Sequence, residues 1–258
     1  MKLSIVIPAH NEEGCLEPTL DSIAATLGPA GIDYEIVVVD DASSDGTAKL
    51  AQACAQRDPR VRLVSSAGGA AGRHGYGIAV RTGLAEFKGD AAAVMMADGS
   101  DAAADLLAYH GKLREGFDCV FGSRFVRGGS TVDYPIHKLI LNRLANLFIR
   151  VLFGFKYNDS TNAFKCYHRR VIESMQPLIS HHFNLTVEMP LKAIVRGWSY
   201  TVVPISWANR KAGVSKLKIK EMGSRYLFIV LYLWLEKHLS RGDYQKSDAS
   251  EPAGPGSQ

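Results

Sequence analysis

Short apolar segments alternate with helix-like segments through the first hundred residues, and this alternation restricts the fold more than any other feature of the sequence. The apolar segments are residues 3–7, 36–39, 61–64 and 92–96. The segments between them, with apolar side chains at helical spacing, are residues 16–28, 47–56 and 76–87. Strands that alternate with helices predict an α/β fold built on a doubly wound, mostly parallel sheet.

The second half of the chain is less regular, but it contains two long helix patterns. Residues 138–153 are amphipathic, and residues 221–239 form the second pattern. Residues 163–167 and 200–203 are predicted strands. Residues 242–258 are polar and rich in Ser, Pro and Gly, so a disordered C-terminal tail is expected.

Acidic and polar residues follow three of the predicted strands, at residues 8–13, 40–47 and 97–101. Ligands of a doubly wound sheet bind at the carboxyl ends of its strands, so the three clusters are expected at one edge. Carboxylates that lie close together repel one another unless a cation offsets them. Oxygen ligands suit Mg²⁺ or Mn²⁺, which also bridge diphosphates. Taken singly, the same clusters also fit turns and helix caps.

A glycine-rich segment, residues 72–77, precedes the third predicted helix. It lacks the Gly-Lys-Ser/Thr of a Walker loop, and it does not follow the first strand as a dinucleotide fingerprint would. Gly75 is a candidate for close approach of the backbone to a diphosphate. A flexible loop is the alternative interpretation.

Charge is distributed unevenly along the chain. Residues 1–120 contain 10 Lys or Arg and 17 Asp or Glu, whereas residues 121–258 contain 20 and 9. A basic half suits phosphates or an anionic membrane surface, although solvated surface charge gives the same count. The four cysteines form no CxxC pair, which favours free thiols in a reducing compartment and hence a cytoplasmic location.

The predicted C-terminal helix contains a charge-free apolar run at residues 226–235. Ten residues cover about half of the ~20 needed to cross a bilayer. Lysine and arginine residues flank the run on both sides, which is typical of a helix that lies on a membrane surface. Packing in the core, or contact between two copies of the chain, is the alternative.

Two segments resemble the signatures of glycosyltransferase family 2: residues 4–13, Ser-Ile-Val-Ile-Pro-Ala-His-Asn-Glu-Glu, and residues 39–47, Val-Asp-Asp-Ala-Ser-Ser-Asp-Gly-Thr. Residues 122–125, 159–165 and 210–217 are similar to the branch that transfers mannose to dolichol or polyprenyl phosphate. The resemblance covers roughly residues 3–220. It implies an A-type glycosyltransferase fold, a nucleotide-sugar donor, an inverting mechanism and a divalent metal, Mg²⁺ or Mn²⁺.

The resemblance also implies a division of the chain. Residues 1–217 form the catalytic domain, with a nucleotide-sugar-binding half at 1–101 and an acceptor half at 102–217. Residues 218–241 form the amphipathic helix, which would hold the enzyme at the cytoplasmic face of the membrane. No nucleic-acid partner is expected.

Donor and metal residues follow from the same resemblance. The base and ribose would contact Pro8, Ala9, Glu12 and either Asp40 or Asp41. The metal motif of the family is Asp-x-Asp followed two residues later by Gln. In this sequence Met96 replaces the first aspartate, Asp98 keeps the second and Ser100 replaces the glutamine, so the expected metal ligands are Asp98 and Ser100, with Asp101 as a substitute. Methionine is a poor ligand for a hard cation.

A phosphate acceptor needs cations, because a phosphate monoester is already a nucleophile and needs positioning more than a base. The expected acceptor residues are Arg124, Arg143, Thr161, Arg210, Ser215 and Lys216. The expected catalytic residues are Asp98, Asp101, Arg124, Arg210 and Lys216.

Three alternatives stay open at this point. A sugar hydroxyl as acceptor would need a base, for which Asp101 or Asp159 is placed. A nucleotidyltransferase would share the sheet and the carboxylates but would carry a basic glycine-rich loop after strand one, where this chain has Asn11-Glu12-Glu13. A nucleotide-sugar-binding protein with impaired catalysis is the third, suggested by Met96. Arg150, seven residues after Arg143 on the same helix face, is interpreted as merely covering that face.

Overall fold

The computed structural model describes residues 1–68, 73–209 and 219–246. The strands in these residues are β1 Leu3–Ala9, β2 Tyr34–Asp40, β3 Val61–Ser65, β4 Ala91–Val94, β5 Cys119–Ser123, β6 Ser130–Val132, β7 Lys165–His168, β8 Tyr200–Pro204 and β9 Ser206–Ala208. The helices are α1 Leu16–Leu27, α2 Thr47–Arg57, α3 Tyr76–Glu86, α4 Asp105–Arg114, α5 Ile136–Phe153, α6 Arg169–Ser174, α7 Leu185–Val195 and α8 Ile219–Leu239.

Seven strands form one sheet in the order β3-β2-β1-β4-β7-β5-β8. Strands β3, β2, β1 and β4 are parallel neighbours, and β5 pairs in parallel with β8. Strand β7 is antiparallel to both of its neighbours, β4 and β5. The prediction of a mostly parallel sheet is therefore confirmed, and the sheet runs continuously through both halves of the chain.

Side chains that alternate along each strand fill two separate cores, one on each face of the sheet. Ile5 and Ile7 of β1 pack with residues of α1, α2 and α4, whereas Val6 packs with residues of α3, α6 and α7. This alternation follows from the period of two in a β-strand. Because helices cover both faces, the sheet is doubly wound, as the sequence predicts.

A third core joins the two long helices to the domain. Ile149 and Phe153 of α5, Val187 of α7, and Ile229 and Leu233 of α8 are all buried in it. The Nζ of Lys237 also donates a hydrogen bond to the Phe153 carbonyl, at 2.6 Å. One side of α8 is therefore packed against the protein.

The outward sides of α5 and α8 are apolar. Large apolar side chains that are 38–75% exposed occupy Ile136, Ile140, Leu141, Leu144, Leu147, Phe148 and Val151 of α5, and Leu227, Phe228, Leu231, Tyr232, Leu235 and Leu239 of α8. We call these residues the apolar face. Within the described parts of the chain, no helix is long and apolar enough to span a membrane.

The segment expected to be a disordered tail begins with ordered contacts. The backbone N–H of Lys246 donates to the Arg196 carbonyl at 2.8 Å, and its ammonium lies 5.2 Å from the centre of the Trp198 ring. Residues 242–246 therefore return to the domain. Residues 247–258 lie outside the described residues.

Candidate active site

The loops after β1 and β2 are tied together at the carboxyl edge of the sheet. The backbone N–H of Glu12 donates to the Thr47 hydroxyl at 2.8 Å, and that of Ser44 donates to the Asn11 side chain at 2.7 Å. Two of the predicted acidic clusters thus lie side by side, as expected from parallel strands. The turn interpretation holds in part, because Asp45 accepts the backbone N–H of Thr47 at 3.0 Å. Neither Ser43 nor Ser44 caps α2, whose N-cap residue is Gly46.

Asp41 is the most buried carboxylate of this edge. Its side chain is 5% exposed, and its Oδ2 accepts the N–H of Gly75 at 2.8 Å. Its Oδ1 is buried and has no hydrogen-bond partner among the residues that the structure describes. A buried acceptor without a donor is costly, so a ligand N–H at this point would be stabilising. Asp40, half-buried beside it, accepts the backbone N–H of Ser43 at 3.3–3.4 Å.

Gly75 and Gly77 are required by packing as well as by any ligand. A Cβ on Gly75 would lie 2.3 Å from the His181 carbonyl oxygen, and one on Gly77 would lie 2.5 Å from that of Ser180. The start of α3 therefore packs directly on the segment before α7. The approach of Gly75 to a diphosphate stays a prediction, and Gly72 lies outside the described residues.

The third acidic cluster follows β4. Asp98 and Asp101 are both buried, at 8% and 5% exposure. Asp98 Oδ1 accepts the N–H of Ser100 at 3.0 Å, while Asp101 Oδ2 accepts the N–H of Met96 at 3.0 Å. Burial, together with the nearby Asp98 carboxylate, raises the pKa of Asp101 to about 7. Asp101 is therefore partly protonated near neutral pH.

The residues after β4 supply few metal ligands by themselves. No group of three His, Cys, Asp or Glu side chains could hold a metal ion within the described ranges. Asp98 and Ser100 provide hard oxygen donors, which Mg²⁺ and Mn²⁺ prefer. Mg²⁺ commonly takes one or two carboxylates and fills its remaining positions with water and substrate phosphates. The donor set fits a metal that arrives with a diphosphate.

The acceptor half is built around a buried ion pair between Arg124, after β5, and Asp159. The guanidinium Nε and Nη2 donate to the two carboxylate oxygens at 2.8 and 2.7 Å. The backbone N–H of Arg124 donates to the same carboxylate at 3.0 Å. Asp159 is fully buried, so it has no access to an acceptor hydroxyl. Of the two bases expected for a hydroxyl acceptor, Asp159 is therefore committed to Arg124, and the role of Asp101 stays a prediction.

Aromatic rings connect this ion pair to the donor edge. The Arg124 guanidinium lies 5.2–5.8 Å from the ring centres of Phe125, Tyr134 and Trp207. Trp207 in turn forms an isolated β-bridge with Asp101. The donor loop after β4 and the acceptor half are therefore in contact.

Lys165 fixes the acceptor loop, residues 159–164, through hydrogen bonds from its ammonium group. Its buried Nζ donates to the carbonyls of Ser160 and Thr186 at 3.1 Å each, and to that of Asn162. Burial lowers the pKa of this ammonium to about 7. The contacts join the loop to the start of α7.

The remaining predicted acceptor residues lie on α5, in the acceptor loop or outside the described residues. Arg143 is exposed, stacks on Phe125 with its guanidinium 4.5 Å from the ring centre, and approaches the Asn158 carbonyl at 3.5 Å. Thr161 accepts a hydrogen bond from Asn142 at 2.7 Å. The predictions for Arg210, Ser215 and Lys216 fall in residues 210–218, which the structure does not describe.

Two supporting residues were missed by sequence reasoning. Lys165 ends the motif at 159–165, where its burial has no sequence signal of its own. Trp207 lies shortly before the 210–217 motif and was not singled out. The pairing of Arg124 with Asp159 was also missed, although both residues lie in motifs that had been noted.

An α/β sheet of this order, with carboxylates at the ends of β1, β2 and β4 and cations in the following half, suits a nucleotide-sugar transferase. The family model described as "Glycosyl transferase family 2" matches residues 4–175. The chain belongs to this family of glycosyltransferases, and its resemblance at residues 4–13 and 39–47 is confirmed.

Two curated relatives match most of the chain. It is 34% identical to a polyprenol monophosphomannose synthase of Mycolicibacterium smegmatis, over 83% of this chain and 80% of the relative. It is 30% identical to an undecaprenyl-phosphate mannosyltransferase of Micrococcus luteus, over 84% and 88%.

Solved structures share the fold. Glucosyl-3-phosphoglycerate synthase from Mycobacterium tuberculosis, in complex with Mn²⁺, uridine diphosphate and glucosyl-3-phosphoglycerate, aligns with a TM-score of 0.65 at 20% identity. The alignment covers 92% of this chain and 79% of that one. The same enzyme in complex with Mg²⁺ and uridine diphosphate aligns with a TM-score of 0.63. The A-type glycosyltransferase fold expected from the sequence is thus confirmed.

Proposed function

We propose that this enzyme transfers a sugar, with mannose the first candidate, from a nucleotide diphosphate to a polyprenyl phosphate at the cytoplasmic face of a membrane. One observation carries the proposal. The carboxylate-lined donor edge is in contact with a cationic acceptor half, and the apolar face lies on helix α5 of that half. The names of the two relatives agree with this acceptor class.

The donor nucleotide would lie along the edge formed by β1 and β2. Asp41 Oδ1 offers a buried acceptor without a partner in the described residues, which suits an imino N–H of a base. Pro8, Ala9 and Glu12 border the same edge. Their contacts with base and ribose remain a prediction from the resemblance.

The diphosphate would extend towards Asp98 and Ser100, which would hold the divalent metal. Bound there, a metal neutralises the charge that develops on the leaving nucleoside diphosphate. Met96 cannot replace the missing carboxylate as a ligand for a hard cation. The metal would therefore depend on the diphosphate for much of its coordination.

The acceptor phosphate reacts without a protein base. One of its oxygens forms a bond to the anomeric carbon as the bond from that carbon to the diphosphate oxygen breaks, with inversion. Arg143 is exposed and able to bind the phosphate directly. The Nε and Nη2 of Arg124 are held by Asp159, so this arginine would act through its remaining N–H groups and by fixing the acceptor loop.

The apolar face would bring the enzyme to its lipid substrate. Burying one large apolar side chain stabilises attachment by about 1.5–3 kcal/mol, and thirteen such side chains are exposed on α5 and α8. The sequence predicts this role for α8 alone. The structure gives α5 an equal share of exposed apolar residues. Contact between two copies of the chain is the alternative use of this face.

A transfer assay with purified protein tests the proposal. Nucleotide diphosphate sugars are supplied with Mg²⁺ or Mn²⁺ and a polyprenyl phosphate in detergent, and the glycolipid and nucleoside diphosphate are both measured. We expect both products in equal amounts, and loss of both in Asp98→Asn or with excess chelator. Asp21→Asn, on the exposed side of α1, is the control. Release of pyrophosphate, or transfer only to a soluble saccharide, would overturn the proposal.

A further inference from the structure

A cleft on α5 is lined by two arginines, Arg143 and Arg150, and only Arg143 has a role in the proposed reaction. It measures about 160 Å³ and is lined by Arg143, Leu144, Asn146, Leu147, Arg150 and Asn158. It opens beside the apolar face, since Leu144 and Leu147 belong to that face and are 58% and 53% exposed.

The polar floor of the cleft is already satisfied by the protein. The side-chain amide of Asn146 donates to the Asn142 carbonyl at 2.9 Å and accepts the N–H of Ser160 at 2.6 Å. The side chain of Asn158 accepts from Ser123 and donates to the Phe125 carbonyl, at 2.6 and 3.1 Å. The groups left for a ligand are therefore the guanidinium N–H donors.

Arg150 is the unexplained member of this lining. Its Nε is buried and has no hydrogen-bond partner in residues 1–68, 73–209 and 219–246. Among the same residues, neither Arg150 nor Arg143 is paired with a carboxylate. A buried donor without an acceptor costs stability. The guanidinium of Arg150 presents only donors, so it selects an anion, and phosphate matches the guanidinium fork.

The exposed leucines at the rim of the cleft suit an anion that carries an apolar part. We propose that the cleft binds the phosphate headgroup of a membrane phospholipid, which fixes α5 to the bilayer beside the acceptor site. Seven residues of helix separate the two arginines by about 10 Å along the axis. Arg143, which stacks on Phe125, lies at one end of the cleft, and Arg150 lies at the other. The inference rests on the proposed function, because it needs the enzyme at a membrane.

Lys138 provides a matched control on the same helix. At about 100° per residue, it lies on the opposite side of the exposed apolar stripe from Arg150 and outside the cleft. A cation near an anionic surface strengthens binding about fivefold through charge alone. Loss of Lys138 measures that general effect, and loss of Arg150 measures it together with any specific contact.

The experiment measures binding to two kinds of vesicle. Both are made of a galactolipid, which has no phosphate, and they contain either phosphatidylglycerol or oleate at equal negative charge. We expect the full chain to prefer phosphatidylglycerol. Arg150→Gln should lose that preference, with phosphatidylglycerol binding reduced by more than about tenfold, whereas Lys138→Gln should keep the preference and lose about fivefold on both. Thermal unfolding of both variants checks that they are folded.

Two results would overturn the inference. Equal losses in the two variants on both vesicle types would reduce Arg150 to general surface charge. A raised KM of Arg150→Gln for polyprenyl phosphate in detergent would assign the cleft to the acceptor instead. Transfer by the unaltered protein in detergent reports separately on the proposed function. If the unaltered protein does not transfer sugar in detergent, the proposed function is wrong. If it is active but shows no preference for phosphatidylglycerol, only the inference about the cleft is wrong.

Discussion

The guanidinium of Arg124 and the carboxylate of Asp159 form a two-point ion pair, at 2.7 and 2.8 Å, in which neither side chain is more than 6% exposed. The pair joins the end of β5 to the acceptor loop, residues 159–164. Its removal should therefore affect both the stability of the fold and the position of that loop.

Asp159→Asn is expected to destabilise the protein strongly. Removing one partner of a buried pair leaves an uncompensated charge and costs about 3–5 kcal/mol. Asp58→Asn is the control, because its partner Arg60 is 47% exposed and exposed pairs contribute about 0.2–1 kcal/mol. Urea unfolding of the two variants measures the difference. Similar losses of unfolding free energy in both variants would mean that the buried pair contributes no more to stability than the exposed pair.

Asp101 should make stability depend on pH. Burial and the Asp98 carboxylate raise its pKa from 3.8 to about 7 in the folded state. Between these values the folded protein binds more protons than the unfolded chain, so this contribution to the free energy of unfolding falls as pH rises from about 4 to 7. Each unit of pKa difference corresponds to about 1.4 kcal/mol.

The test compares wild type and Asp101→Asn in metal-free buffer across that range. The variant retains an oxygen that can accept the N–H of Met96. The wild-type stability should decline relative to that of the variant as pH rises. Parallel curves for the two proteins would show that Asp101 is ionised throughout.

Arg143→Gln should impair use of the acceptor and spare the donor. The exposed guanidinium is the described cation best able to bind the acceptor phosphate directly. Loss of a charged hydrogen bond of about 1.5–3 kcal/mol raises KM for polyprenyl phosphate about 10–100-fold. Calorimetric titration with nucleoside diphosphate should be unchanged, and Lys138→Gln serves as the matched control in detergent. An altered nucleotide affinity with a normal acceptor KM would place Arg143 on the donor side.

Charged substitutions on the apolar face should detach the enzyme from vesicles without unfolding it. Val151 is 75% exposed and Leu144 is 58% exposed, so Val151→Glu and Leu144→Glu cost little in the free protein. Each should weaken vesicle binding by about 2 kcal/mol, or roughly thirtyfold. Leu107→Glu changes a residue of α4 that is 41% exposed and lies away from this face. Equal binding by all three would leave contact between copies as the use of the face, which sedimentation would then detect.

The first half of the fold could be predicted closely, because its signals are local. The helix predicted at residues 47–56 corresponds to α2 Thr47–Arg57. The strand predicted at residues 61–64 corresponds to β3 Val61–Ser65. Each parallel strand buried on both faces is a short apolar run, and the polar residues after it mark the ligand edge. Asp41 and Asp98 were placed at that edge for this reason.

The acceptor half could not be predicted to the same extent. Strand β5 and helices α4, α6 and α7 were not anticipated, and the reversed direction of β7 depends on pairing with β4 and β5, which are distant in sequence. Arg124 and Asp159 are 35 residues apart in the sequence, so no local pattern predicts that they pair. Residues 138–153 were predicted as an amphipathic helix, but no local pattern showed that the wider apolar side of α5 would be exposed.

The reversed strand β7 has a consequence for how such enzymes diversify. Phe121 near the end of β5 pairs with Lys165 at the start of β7, so the chain between them leaves the sheet and returns at adjacent positions. That excursion contains Arg124, all of α5 and the acceptor loop. Because its two ends are fixed side by side, the excursion is a cassette whose length and sequence can change while the strand order stays the same. On the proposed assignment of Arg124, Arg143 and Thr161, this part of the acceptor site can therefore vary while the strands at the donor edge stay unchanged.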